Sequence, residues 1–104
     1  SNQISISNQK SSYNTGEFVN FSINTNGVEG YLTMLYVDKN DITVLYPNPR
    51  LTSKPIRGAF NFPRDFGNFK IRAFKQCSNC QKEQTAIYLL LTPQPLNTIE
   101  SMSR

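Results

Sequence analysis

Two cysteines, Cys77 and Cys80, have the clearest chemical potential in the chain, because they lie close together in a polar stretch. Thiols at this spacing can form a local disulfide, act as a redox pair or supply two zinc ligands. A zinc site within one chain needs further ligands, and the sequence has no histidine and no second pair of cysteines. A site shared between chains and a pair of free thiols both stay open. A thioredoxin-like pair needs its first cysteine at a helix N-terminus, whereas this pair lies in a polar turn between two predicted strands. We therefore favour a local disulfide, in an exported protein.

The second group with chemical potential is basic. Seven basic residues fall in one third of the chain, where Asp65 is the only acid and phenylalanines are interleaved. They are Arg50, Lys54, Arg57, Arg64, Lys70, Arg72 and Lys75. Cationic surfaces with stacking rings hold single-stranded nucleic acid, but the alternation from Phe69 to Arg72 fits better with buried rings and solvated charges. We therefore expect no nucleic acid and favour ordinary solvated charge, with an acidic partner or an anionic glycan or lipid as the functional alternative.

The stretch from Pro47 to Gly58 is the longest irregular segment, with three prolines and no periodicity. Prolines cannot donate to a strand ladder, so a surface loop or a crossing between sheets is expected. In the structural interpretation, which we favour, Tyr46 packs beneath this loop and Asn48 bonds to backbone. In the functional interpretation the loop is a recognition surface with basic residues at its rim. The predicted binding residues are Tyr46, Asn48, Arg50, Lys54 and Arg57.

Other chemistry is disfavoured by the residue types. Without histidine there is no histidine-based acid–base catalysis and no histidine-containing metal site within the chain. The carboxylates lie in predicted turns or at strand starts, and Asp38 to Asp41 has the composition of a calcium loop without its fixed glycine and distant glutamate. We expect a protein that is not an enzyme and that has no cofactor and no resident metal.

A hairpin must position these groups. The run from Gly30 to Val37 is apolar or aromatic at nearly every position, and the polar stretch Asp38 to Asp41 separates it from a returning strand, Ile42 to Tyr46. A strand that is apolar on both faces belongs in the middle of a covered sheet. The run from Thr85 to Leu91 has the same character. We expect both apolar runs to be hidden from water on either face.

The other segments predict short strands. Val19, Phe21 and Ile23 alternate with polar residues, and the pair Asn26-Gly27 is typical of a tight turn. Further strands are expected at Gln3–Ser7, Phe60–Phe62 (ended by Pro63), and Phe69–Ala73. About seven strands with regular turn signals predict an all-β, antiparallel, immunoglobulin-like β-sandwich over residues 1–96, with a tail or linker at 97–104. A small β-barrel is the alternative.

Length and charge agree with one small domain. The chain has 104 residues and a formal net charge of +4, and no apolar run approaches the roughly 18 residues of a membrane helix. No transmembrane segment is therefore expected. A basic balance of this size is compatible with acidic partners and is also ordinary for solubility.

A series of short motifs runs through this pattern: Tyr13-Asn-Thr-Gly16-Glu17, Gly30-Tyr31-Leu32, Asp38, Leu45-Tyr46-Pro47-Asn48, Gly58 and Pro63. In order and spacing the series resembles the domain-of-unknown-function family numbered 4384, over roughly Tyr13 to Leu96. The family's turn after the aspartate usually ends in glycine, where this chain has Asn40-Asp41, and the family usually lacks the Cys-x-x-Cys pair.

The resemblance implies a β-sandwich module of bacterial envelope or surface proteins, often beside protease, kinase or signalling domains, with no established catalytic residue. We accordingly expect a non-catalytic interaction module that binds a protein or a cell-wall component. Its expected location is the bacterial periplasm, the outer membrane as an anchored lipoprotein, or the exterior. The alternative function is a thiol-redox or metal-relay role through Cys77 and Cys80. The oligomeric state is left open.

Overall fold

The computed structural model describes residues 4–39, 41–47, 54–73 and 85–96. Within these residues the chain is all-β, with seven strands in two antiparallel sheets. The strands are β1 (Ser5–Ser7), β2 (Phe21–Asn24), β3 (Gly30–Val37), β4 (Ile42–Tyr46), β5 (Pro55–Ile56), β6 (Ala59–Phe62) and β7 (Ala86–Thr92). The described residues include no helix long and apolar enough to cross a membrane. The predicted all-β class is confirmed.

The first sheet has the order β1–β2–β6. Its inner face follows from the alternation in β2, where Phe21 and Ile23 are buried and the residue after each is not. Phe21 lies directly opposite Phe62 and Ile23 opposite Phe60, so the apolar residues of β2 and β6 share one face. The predicted strand at the N-terminus is confirmed as the edge strand β1.

The second sheet is built around β3. Strand β7 pairs with β3 from Tyr31 to Val37 along one edge. Strands β4 and β5 pair with opposite ends of β3. Because β7 occupies one edge of β3, both of them lie along its other edge. The register shifts between Met34 and Leu35, which makes a bulge in β4. The prediction that Gly30–Val37 lies in the middle of a sheet is confirmed.

One hydrophobic core lies between the two sheets, which gives a β-sandwich-like arrangement. Leu32 and Met34 of β3 are fully buried, and they share the core with residues of both sheets. The other core residues are Phe21, Ile23, Tyr46, Phe62, Phe66 and Leu89. The rings of Phe21 and Phe62 stack with their centroids 4.8 Å apart. Aromatic residues supply much of the buried area, as a domain of this size requires.

The outer face of the second sheet is more open than the sequence predicts. Tyr88 is 54% exposed and Leu90 37% exposed, and Leu35, which lies opposite Tyr88, is only half-buried. The prediction that both apolar runs are hidden on either face is therefore wrong for β7, whereas β3 has no exposed residue and its outer-face Thr33 is buried. The reason is that the first sheet covers only the inner face, where Leu89 lies.

Two further predictions need correction. Within the stretch 47–58, which was predicted to be irregular, Pro55–Ile56 pairs with Gly30–Tyr31 as strand β5. A proline can begin such a short strand because its missing N–H is not needed there. The predicted strand Phe69–Ala73 forms only a single bridge, Phe18 to Arg72, in the described residues. The crossing between sheets is confirmed, because β4 belongs to the second sheet and β6 to the first.

The two predicted turns are confirmed. Asn26 and Gly27 both have positive φ, 54° and 84°, and the Val28 N–H donates to the Thr25 carbonyl at 3.1 Å. After β3, the Asp41 N–H donates to Asp38 Oδ1 at 2.8 Å. The Asp38 side chain therefore stabilises the turn itself, as short polar side chains do.

Adjacent leucines in β7 test the assignment of the two faces. Leu89→Asp should prevent folding, because it buries an unpaired carboxylate, whereas Leu90→Asp on the outer face should cost within about 1 kcal/mol. Leu89→Ala should remain folded and lose about 2 to 5 kcal/mol. The measurement is urea unfolding followed by circular dichroism. Equal stability of the two aspartate variants would contradict the assignment.

Candidate functional site

The structure describes three of the five predicted binding residues. Tyr46 ends β4 and is 6% exposed, whereas Lys54 and Arg57 flank β5 and are exposed. Asn48 and Arg50 lie outside the described residues. Cys77 and Cys80 also lie outside them, so the disulfide and the thiol-redox or metal-relay alternative stay predictions.

Tyr46 lies under the start of the loop. Its ring meets Phe66 edge-on with centroids 5.2 Å apart, and Pro47 after it is buried. Burial raises the pKa of the Tyr46 phenol above its ordinary value, and a hydrogen bond with the Lys54 backbone opposes that rise. Tyr46 therefore connects both ends of the segment between β4 and β5 to the core. The structural interpretation, in which Tyr46 packs beneath the loop and Asn48 bonds to backbone, concerns residues outside the described ranges and stays a prediction.

The far end of the loop is fixed by Thr25. The Thr25 N–H donates to the Gly58 carbonyl and the Gly58 N–H donates to Thr25 Oγ1, both at 2.9 Å. Thr25 is fully buried, so this reciprocal pair satisfies polar groups that cannot reach water. Gly58 has φ +122°, a conformation that L side chains rarely adopt. The position after Arg57 therefore has a defined backbone.

Lys54 and Arg57 are called the loop-base cations here. They lie on either side of β5, whose Ile56 packs against the core. A lysine presents a compact charge, and an arginine presents a planar fork that suits carboxylates and phosphates. The chemistry available at this position is therefore recognition of anionic groups from a backbone that is fixed on both sides.

A second cationic group is formed where Lys70 and Arg72 lie against Phe18, a residue that precedes β2. The Arg72 guanidinium carbon lies 4.2 Å from the centre of the Phe18 ring, and Lys70 Nζ lies 5.0 Å from it. These three residues are called the cation–π cluster. It is built by the bridge that places Phe18 opposite Arg72 and by backbone bonds on both sides of it, from Val19 N–H to the Ile71 carbonyl and from Ala73 N–H to the Glu17 carbonyl.

Sequence reasoning placed Lys70 and Arg72 in a basic segment and overlooked Phe18. A signal was present, because Phe18 is out of phase with the inward residues Val19, Phe21 and Ile23 and must therefore face solvent. It is 36% exposed. The partnership across the bridge joins segments more than fifty residues apart, and no local pattern indicates it.

Comparisons with protein-family models, with curated proteins and with solved structures found no match to this chain. The resemblance stated on the sequence motifs is neither confirmed nor contradicted, and it stays a prediction. The fold and the site geometry therefore supply the grounds for a functional proposal.

Removing the hydroxyl group of Tyr46 tests whether that group is buried and bonded to the Lys54 backbone. Tyr46→Phe should lower the free energy of unfolding at pH 7 by about 1 kcal/mol, through loss of the bond with the Lys54 backbone. Because the folded pKa is raised, the unfolded wild type ionises first as the pH rises above about 10. The wild type should therefore lose its advantage over the variant between pH 7 and about pH 10.5.

The measurement is denaturant unfolding of both proteins at the two pH values. Tyr88→Phe, which removes an exposed phenol from β7, is the control at pH 7 and should cost little. A difference between wild type and Tyr46→Phe that does not change with pH would contradict burial of the phenol.

Proposed function

We propose that this chain is a non-catalytic interaction module that binds a protein or a cell-wall component. The proposal includes a seven-strand, immunoglobulin-like β-sandwich and membership in the family that the motifs resemble. It also includes a place in a bacterial cell-envelope or secreted protein. The proposed contact surface is the loop between β4 and β6, with Asn48, Arg50, Lys54 and Arg57 as contact residues and Tyr46 as its support.

One observation carries the proposal: exposed cations lie on a loop whose ends are both fixed to the core. Tyr46 and the buried Pro47 hold the start, and the reciprocal bonds between Thr25 and Gly58 hold the end. Residues next to such fixed points, as Lys54 and Arg57 are, lose less backbone entropy on binding, so weak ionic contacts can still produce affinity. Binding residues on loops that a rigid scaffold positions are the usual arrangement in β-sandwiches.

The charge of this surface sets the kind of partner. Within the described residues the ion pairs are Lys10 with Glu17 and Arg64 with Asp65, so the loop-base cations have no carboxylate within 4.0 Å there. Unpaired exposed cations favour acidic groups and speed their encounter, in a way that salt weakens. Acidic proteins and anionic cell-wall polymers both provide such groups.

Charge reversal at the loop tests the proposal. The combined variant Arg50→Glu, Lys54→Glu and Arg57→Glu should lose binding to purified peptidoglycan sacculi, or to envelope proteins captured by chemical crosslinking and identified by mass spectrometry. We expect a loss of about tenfold or more, since three attractive contacts become repulsive. Co-sedimentation and crosslinking yield are the measurements.

The matched control reverses three cations outside both the loop and the cation–π cluster, Lys39→Glu, Arg64→Glu and Lys82→Glu. It changes the net charge in the same direction and leaves the loop intact. If the loop variant retains every partner that the wild type binds, the contact surface is wrongly placed. If both variants lose the same partner equally, overall charge and not the loop is responsible.

A further inference from the structure

We infer that the cation–π cluster of Phe18, Lys70 and Arg72 is a second binding site, for an extended acidic peptide segment with carboxylates at every second residue. The site is separate from the proposed loop surface. Phe18 lies before the first residue of β2, whereas Thr25, which anchors the loop, directly follows the last. The two sites therefore lie beyond opposite ends of the same strand.

The first argument is the organisation of the two cations. Lys70 and Arg72 are two residues apart, and both are exposed. Phe69 before them and Ile71 between them pack on the core. Side chains two residues apart in extended backbone share a face and are spaced by roughly 6.6 Å. An extended peptide repeats its own side chains at the same spacing. The backbone of this segment thus presents two cations on one face, as an extended peptide with carboxylates at every second position presents its anions on one face.

The second argument is preorganisation. Long basic side chains on a surface lose rotamer freedom when they bind, and that loss cancels much of an exposed ion pair. Here the Phe18 ring holds both side chains, and the Arg72 Nη1 also donates to the Gly16 carbonyl at 2.9 Å. The guanidinium retains its other N–H donors for a ligand. The two charges are thus positioned before a ligand arrives.

The third argument is that the adjacent acid is already engaged. Glu17 lies next to Phe18, but its carboxylate contacts Lys10 Nζ and accepts the Asn14 N–H at 2.9 Å. These two hydrogen bonds, that from Lys10 first, hold the pKa of Glu17 below its ordinary value. In the described part of the chain no carboxylate lies within 4.0 Å of Lys70 or Arg72. Their charge is therefore available to an external anion.

A peptide fits this cluster better than a nucleic acid does. Single-stranded nucleic acid is held by bases that stack on open aromatic faces. The Phe18 ring instead has a guanidinium carbon 4.2 Å and an ammonium nitrogen 5.0 Å from its centre. The ring therefore orients cations and is not an open platform for a base, and a carboxylate can pair with the Arg72 fork or with the compact charge of Lys70.

The test uses fluorescein-labelled nine-residue peptides and fluorescence anisotropy at low salt. One peptide alternates threonine and glutamate, and the other has the same composition with its glutamates in one block. The wild type should bind the alternating peptide about threefold or more tightly than the block peptide. Lys70→Glu with Arg72→Glu should weaken binding at least about tenfold, and Lys70→Met with Arg72→Met, which keeps the apolar stems, should also weaken it.

Two further variants separate orientation from charge. Phe18→Leu keeps an apolar side chain but removes the ring, and it should weaken binding about two- to fivefold with net charge unchanged. Lys39→Glu with Arg64→Glu, which reverses two exposed cations outside both surfaces, should change the affinity for the alternating peptide by less than about twofold. Thermal melts confirm that each variant used is folded.

Three results would overturn the inference. The first is equal affinity for the two peptides, which would show attraction to charge without register. The second is undiminished binding by the variants at Lys70 and Arg72. The third is tighter binding of a nine-nucleotide deoxythymidine oligomer that displaces the peptide, which would make the cluster a nucleic-acid site.

Discussion

The structure depends on an aromatic contact in which Phe66 joins the two sheets. Its ring lies 5.2 Å from Tyr46 in the second sheet and 6.0 Å from Phe62 in the first, measured between centroids. Phe66 belongs to neither sheet, and its place is set by the turn after β6, where its N–H donates to the Pro63 carbonyl at 2.9 Å. Edge-on and tilted ring pairs are directional as well as apolar. They therefore fix how the sheets meet, in a domain with few buried residues to spare.

Both surfaces considered for binding follow from this packing. Tyr46 is a core ring and also the last residue before the loop, so the contact that joins the sheets also sets where the loop leaves. Strand β2 supplies Phe21 and Ile23 to the same core. The segment before β2 carries Phe18, and the residue after it is Thr25, which holds Gly58. A change in the core would therefore affect both surfaces, whereas a change at the exposed cations, which lie outside the core, should affect one surface alone.

Strict alternation made part of this fold predictable. The inward face of β2 was evident because polar residues separate Phe21 and Ile23. The run in β7 has no such phase, so the sequence could not show that Leu89 is buried and Leu90 exposed. The features of the candidate sites also divide into those that local sequence predicts and those that it does not. The support that Tyr46 gives the loop follows from local sequence, but the Thr25–Gly58 bonds and the Phe18 bridge depend on non-local pairing.

The separation of the two cationic groups determines how they act together. Exposed charges are screened over about 8 Å at physiological salt, so cations beyond opposite ends of β2 interact little and each group must obtain specificity from its own geometry. In the proposed roles, specificity at the loop base comes from its fixed backbone, and specificity at the cation–π cluster comes from the ring that holds its side chains. Neither alone provides high affinity, because exposed ion pairs are weak. An acidic partner long enough to reach both would bind the second intramolecularly and gain affinity without any new contact. In the roles proposed for them, two such sites on one domain favour long or repetitive acidic ligands over short ones.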